Sequence, residues 1–189
     1  AWAGAPRSPP PGAEAGVGLL PNLWDTWNNK HTIFQPGFLF YYKGHLQTIE
    51  AVRILKEKYP DVHYIIQGSE NKQTQSEHDK LYKEICTKIS EYGLEHNVTI
   101  NRGFVDKKII MSHIRTVRVC VLPYVSHPEH DVYATSGIAR MVLTTTTPLV
   151  VSKVHLFDDV KELAPSISTA EELAECIDRV FESDDERNR

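Results

Sequence analysis

The sequence predicts an α/β domain, a parallel sheet covered by helices on both faces. Three observations carry that reading. Strand-length apolar runs alternate with helix-length segments along the chain. The runs, such as Val62-His63-Tyr64-Ile65-Ile66 and Val117 to Leu122, are apolar nearly throughout rather than alternating, as strands buried on both faces must be. Glycine or proline marks many of the boundaries.

Residues 1–30 are expected to be a flexible or extended lead-in or linker, because residues 1–21 are rich in Ala, Gly and Pro and include Pro9-Pro10-Pro11-Gly12. Residues 31–189 then supply about 155 residues, within the roughly 100–200 of one domain. Thr32-Ile33-Phe34-Gln35 reads as a first strand that stops at Pro36-Gly37. Leu46, Ile49, Val52, Ile54 and Leu55 recur at helical spacing across His45–Lys58, before Pro60. Val62 to Ile66 is a second strand closed by Gly68, and Ser76–Tyr92 a polar-faced helix ending at Gly93. Val98-Thr99-Ile100 follows as a strand, Ile109–Ile114 as a short helix and Val117–Leu122 as a strand ending at Pro123. Ser136–Leu143 is helical, Leu149-Val150-Val151 a strand, and Ala170–Phe181 a final helix with Thr169 as its cap. Ligands of such sheets bind beyond the carboxyl ends of the strands, which selects the loops after Gln35, Gln67, Asn101 and Leu122.

Composition narrows the function. The net charge is −4, with Lys and Arg scattered, so no basic stripe points to nucleic acid. Cys86, Cys120 and Cys176 are odd in number and far apart, and they read as plain thiols rather than a disulfide or zinc framework. No apolar run approaches the roughly 20 residues that span a bilayer, and no basic start followed by an apolar block opens the chain. A soluble, reducing-compartment, cytoplasmic protein is expected. His127 and His130 stand three apart beside carboxylates, but zinc sites need three or four ligands, so no metal site is expected.

Gly37 to Gly44 is a glycine-flanked loop ending in Lys43 at a helix entrance. Glycine lets backbone approach a ligand, a helix start offers free N–H groups, and Lys adds a point charge; together they suit a diphosphate. The alternative is a solvated lysine capping a turn. Neither GxxxxGK[ST] nor GxGxxG is present, and no GxSxG elbow or Cys-His pair supplies a nucleophile. The aromatic run Phe38, Phe40, Tyr41 and Tyr42 could stack a base or cover the strand end.

Further along come Ile65-Ile66-Gln67-Gly68-Ser69, Asn97-Val98-Thr99-Ile100-Asn101-Arg102-Gly103-Phe104-Val105, Val119-Cys120-Val121-Leu122-Pro123-Tyr124 and Thr147-Pro148-Leu149-Val150-Val151-Ser152. In order and spacing these resemble the C-terminal, donor-binding domain of family-4 (group 1) glycosyltransferases with the GT-B fold. That family has a glycine-basic turn before Lys-Gly, a strand ending in Gly, then "nv.f.Gfv", "v.v.Ps" and "GtPVV.s". The resemblance runs from about Thr32 to the C-terminus and implies a Rossmann-like domain, one half of a GT-B fold. It implies sugar transfer from a nucleoside-diphosphate sugar with retention of configuration and without a cofactor or metal. The acceptor would sit on an N-terminal domain missing from this chain, and any peripheral membrane contact would fall to that domain.

The resemblance also assigns residues. Lys43, before Gly44, would contact the donor diphosphate, and Gly37 would let the phosphates approach. Gly68 would end the second strand at the site. The Gly103-Phe104-Val105 turn would face the base. Ser136-Gly137-Ile138 would present N–H groups to the diphosphate at a helix start, where roughly half a positive charge resides. There are departures. Phe38 stands where many members carry Arg, and Tyr133 and Met141 stand where many carry a pair of glutamates. Glu129 and Asp131 are the acids nearby that could contact sugar or ribose as catalytic residues, or simply line a polar loop. A degenerate nucleotide-sugar-binding module and a sugar-nucleotide epimerase are the rival readings. A phospho-receiver is not supported, because Gln35-Pro36-Gly37 lacks the acids it needs.

Overall fold

A computed structural model describes residues 30–69, 72–126 and 135–183. Most of the lead-in, and Glu129, Asp131, Tyr133, His127 and His130, lie outside these residues. Six strands form one all-parallel sheet: β1 (Thr32–Phe38), β2 (His63–Ser69), β3 (Val98–Asn101), β4 (Val119–Leu122), β5 (Leu149–Ser152) and β6 (Ser166–Ile167), in the order β3-β2-β1-β4-β5-β6. The helices are α1 (His45–Lys56), α2 (Gln75–Glu91), α3 (Lys107–Thr116), α4 (Gly137–Leu143) and α5 (Ala170–Glu182), joined by short 3₁₀ turns such as Tyr41–Lys43.

The continuous apolar strands are explained by two core layers. Ile33, Ile66, Val121 and Val150 point to one face and pack with Ile49 and Val52 of α1, Leu81 and Ile85 of α2, and Leu173 and Ile177 of α5. Their neighbours Phe34, Ile65, Leu122 and Val151 point to the other and pack with Ile110 and Ile114 of α3 and Val142 of α4. Each strand therefore needs apolar side chains at consecutive positions. Thr169 caps α5 by accepting from the Glu172 N–H at 3.2 Å. Gly93 takes a left-handed φ of 61° after α2.

Two details depart from the sequence reading. β1 does not stop at Pro36-Gly37; it pairs with β2 as far as Phe38↔Ser69. β4 pairs only with Ile33 and Phe34, so Pro36 lies where β1 has a partner on one side, an edge-like position that tolerates a missing N–H. The two-residue β6 was not expected, because Ser166-Ile167 is too short to give a pattern. No described helix is long and apolar enough to cross a membrane.

The strand order reverses between β1 and β4. The chain leaves β1 for α1 on one face, and leaves β4 toward α4 on the other. A crevice opens beyond the carboxyl ends of the strands at such a switch point.

Candidate functional site

A cavity of about 590 Å³ occupies this crevice. Its walls are the β1–α1 loop (Gly37, Phe38, Tyr42, Lys43), the β3–α3 loop (Phe104, Val105, Lys107), and Tyr124 and Val125 after β4. Ser136, Gly137 and Ile138 at the start of α4, and Val154 and Leu156 after β5, complete it. Among the described residues, its charged lining consists of Lys43 and Lys107, both cationic.

Lys43 is held in detail. Gln35, buried in the middle of β1, donates its amide to the Lys43 carbonyl at 2.7 Å. Its amide oxygen in turn accepts from the Tyr64 hydroxyl at 2.6 Å and the Thr48 hydroxyl at 2.9 Å. His45 Nδ1 lies 3.2 Å from the Tyr64 hydroxyl, and burial pushes this imidazole from 6.5 down to about 4. The turn carrying Lys43 is thereby pinned from below by a satisfied polar network. The Lys43 ammonium donates to the Tyr124 hydroxyl at 2.7 Å and lies 3.9 Å from the Tyr124 ring centre and 5.0 Å from that of Tyr42. No carboxylate among the described residues pairs with it, and burial lowers its pKa from 10.5 to about 8. Among the described residues this cation meets π-faces and a phenol rather than a counter-ion, an arrangement with room for an anion.

Gly37 stands against this ammonium. Its φ is 146°, and a Cβ built there would lie 3.8 Å from Lys43 Cε and 4.0 Å from Nζ. Across the cavity, the Ser136 hydroxyl caps α4 by accepting from the Ala139 N–H at 3.2 Å. Gly137, the first helical residue, is exposed, and a Cβ added there would meet no described residue beyond its own helix and chain neighbours within 4 Å. The third wall is fixed by Gln67, whose amide donates to the Gly103 carbonyl at 3.0 Å. Phe104 is 83% exposed at the rim, and Phe38 is 45% exposed.

The cavity thus unites Gly37, Phe38, Lys43, Phe104, Val105, Ser136, Gly137 and Ile138 of the sequence-derived residues. Gly44 and Gly68 do not line it. A Cβ at Gly44 would come within 1.8 Å of the Pro123 carbonyl oxygen, and one at Gly68 within 2.4 Å of Leu39 Cγ, so both glycines serve close packing behind the site. Gly103 shapes its turn without lining the cavity. His78 is fully buried, its Nδ1 2.7 Å from the Leu39 carbonyl oxygen and its Nε2 3.0 Å from the Thr74 hydroxyl, because the start of α2 folds over the aromatic loop. Sequence reasoning missed the roles of Gln35 and Gln67, and of Tyr124 and Lys107. The signal for the glutamines was there, a lone amide directly after a run of apolar strand residues.

The model of the family described as glycosyl transferases group 1 matches residues 25–189. No curated protein sequence matches the chain. Among solved structures, a UDP-forming α,α-trehalose-phosphate synthase from Burkholderia xenovorans superposes with a TM-score of 0.71 at 13% identity, over 85% of this chain and 38% of that one. The C-terminal domain of a glycosyl transferase group 1 family protein, LpcC from Francisella tularensis, superposes with a TM-score of 0.67 at 20% identity, over 86% of this chain and 83% of that domain. The chain spans well under half the length of the synthase, and at these identities the likeness establishes the GT-B-type fold. The family match over most of the sequence settles the remaining question: the chain belongs to the group 1 glycosyl transferases.

Proposed function

We propose that this chain is the donor-binding half of a glycosyltransferase and takes up a nucleoside-diphosphate sugar in the crevice beyond β1 and β4. The observation that carries the reading is Lys43, a half-buried ammonium that pairs with no carboxylate among the described residues, set against the backbone of Gly37 and facing the start of α4. A diphosphate supplies the missing negative charge, and N–H groups of Gly137 and Ile138 complete its cradle. The base lies toward Phe104 and Val105.

In transfer, the oxygen of an acceptor hydroxyl on a separate domain bonds to the sugar's anomeric carbon, the bond from that carbon to the phosphate oxygen breaks, and the hydroxyl proton passes to the departing diphosphate. Lys43 and the helix N–H groups stabilise the charge that gathers on the departing diphosphate. This needs no metal or cofactor. Glu129 and Asp131 are the proposed contacts to sugar or ribose, with retention of configuration as in the family resemblance.

A second reading has one observation in its favour. Met141 lines the cavity where many group 1 members carry a glutamate, which suits a module that binds the nucleotide sugar without transferring it. The donor site itself is tested by a thermal-shift screen against UDP-, GDP- and ADP-sugars. A ligand at a hundredfold excess over Kd stabilises by about 2.7 kcal/mol, so at least one class is expected to raise Tm by several degrees. No shift from any class at millimolar concentration removes the donor-site reading.

A further inference from the structure

We propose that Tyr124 is a positioning residue for the diphosphate site, its phenol holding the Lys43 ammonium in place beside the cavity. The proposal rests on the donor-site reading above and concerns how that site is kept ready.

Tyr124 follows β4 at the point where β4 and the β1–α1 turn meet. The contact is tight, since the Pro123 carbonyl leaves no room for a side chain on Gly44. It is also bonded, since the Val125 N–H donates to the Tyr42 carbonyl at 2.8 Å. Tyr124 itself is 3% exposed, packs on Phe157 with ring centres 5.0 Å apart, and stands edge-on to Tyr42 at 6.0 Å. Its ring has little freedom to move. The phenol oxygen accepts from Lys43 Nζ at 2.7 Å. The phenol therefore fixes the cation that the β1–α1 loop brings to the cavity.

The chemistry explains the arrangement. A lysine side chain loses rotamer freedom when it meets a ligand, and fixing it beforehand removes that cost at binding. An ammonium has three N–H donors; Tyr124 occupies one and leaves two for phosphate oxygens. A carboxylate in the same place would hold Lys43 as firmly, but its charge would compete with the diphosphate. A neutral phenol positions without competing. Two sequence departures strengthen the case. The group 1 pattern places a serine after the strand-ending proline, where this chain has Tyr124. It often places an arginine after the first glycine, where this chain has Phe38. With Phe38 there, Lys43 is the cation that the β1–α1 loop brings to the cavity, and its placement matters more.

The test is calorimetry with inorganic pyrophosphate, UDP, GDP and ADP, and with uridine, guanosine and adenosine. The proteins are the native chain, Tyr124→Phe, Lys43→Met and the double variant, each checked for a native fold by circular dichroism. Tyr124→Phe keeps the ring and removes only the hydroxyl. It is expected to weaken the diphosphate ligands by about tenfold and to leave the nucleosides unchanged. In the Lys43→Met background the same substitution should cost nothing further, because Tyr124 acts through Lys43. Native diphosphate affinity in Tyr124→Phe, or an undiminished loss in the Lys43→Met background, overturns the positioning role and leaves the donor site standing. A native chain that binds none of the diphosphates overturns the donor-site reading and this inference with it.

Discussion

Lys43 keeps its charge against the preference of its surroundings, and that has consequences for both binding and stability. Burial lowers its pKa from 10.5 to about 8. On the donor-site proposal diphosphate binding uses the charged form, so affinity is expected to be full below about pH 8 and to fall as the pH rises through it. The sign for stability is the reverse. A lysine whose folded pKa lies below its unfolded value destabilises the fold while it is charged, and the penalty fades between about 8 and 10.5. Lys43→Met is therefore expected to raise Tm at pH 7 while weakening diphosphate binding, with the gain in Tm shrinking as the pH approaches 10.5. Melting curves at pH 7 and 10 check this, and a lower Tm for Lys43→Met at pH 7 would contradict it. The lysine was legible in the sequence because its signal is local: a glycine, a short loop, then Lys-Gly at a helix entrance. Its partner Tyr124 lies 81 residues away and was not.

At the scale of elements, the site depends on two loop geometries. Gly44 enters α1 with a φ of 72°, and a Cβ there would meet the Pro123 carbonyl oxygen at 1.8 Å. Gly44→Ala is expected to cost more than about 2 kcal/mol by urea denaturation, since strain and clash add. Gly137 is the opposite case, with nothing near its built Cβ. Gly137→Val should keep the fold, as circular dichroism would show, yet reduce diphosphate affinity more than Ser136→Ala by obstructing the open backbone. Normal binding by Gly137→Val would place the diphosphate elsewhere. The helices and the five longer strands could be read from periodicity because each has one or two faces to bury. Pro36-Gly37 was misread as a stop: proline ends a strand only where its N–H is needed, and β1 has outrun β4 by then. The loops brought together at the cavity belong to strands that are not consecutive in sequence, so their mutual geometry could not be read from any local pattern.

For the whole molecule, the sheet order places the β1 and β4 loops at a reversal, and every wall of the cavity follows from that topology. Catalysis of transfer requires donor and acceptor to be held together, and the chain covers 38% of the length of the synthase it superposes on. With a radiolabelled donor panel, the isolated chain is expected to bind donor but transfer sugar negligibly, and addition of a matching N-terminal domain should restore transfer. Robust transfer by the isolated chain would contradict the division of labour, and activity in neither form would favour the binding module. The central claim is that the crevice binds a nucleoside diphosphate through Lys43. It is tested most directly by calorimetric titration of native chain and Lys43→Ala with UDP, GDP and ADP and with the matching nucleosides. The account predicts that Lys43→Ala loses roughly 1.5–3 kcal/mol toward the diphosphate, about tenfold or more in Kd, while nucleoside binding barely changes. Equal losses for nucleotide and nucleoside, or no loss for either, would contradict it.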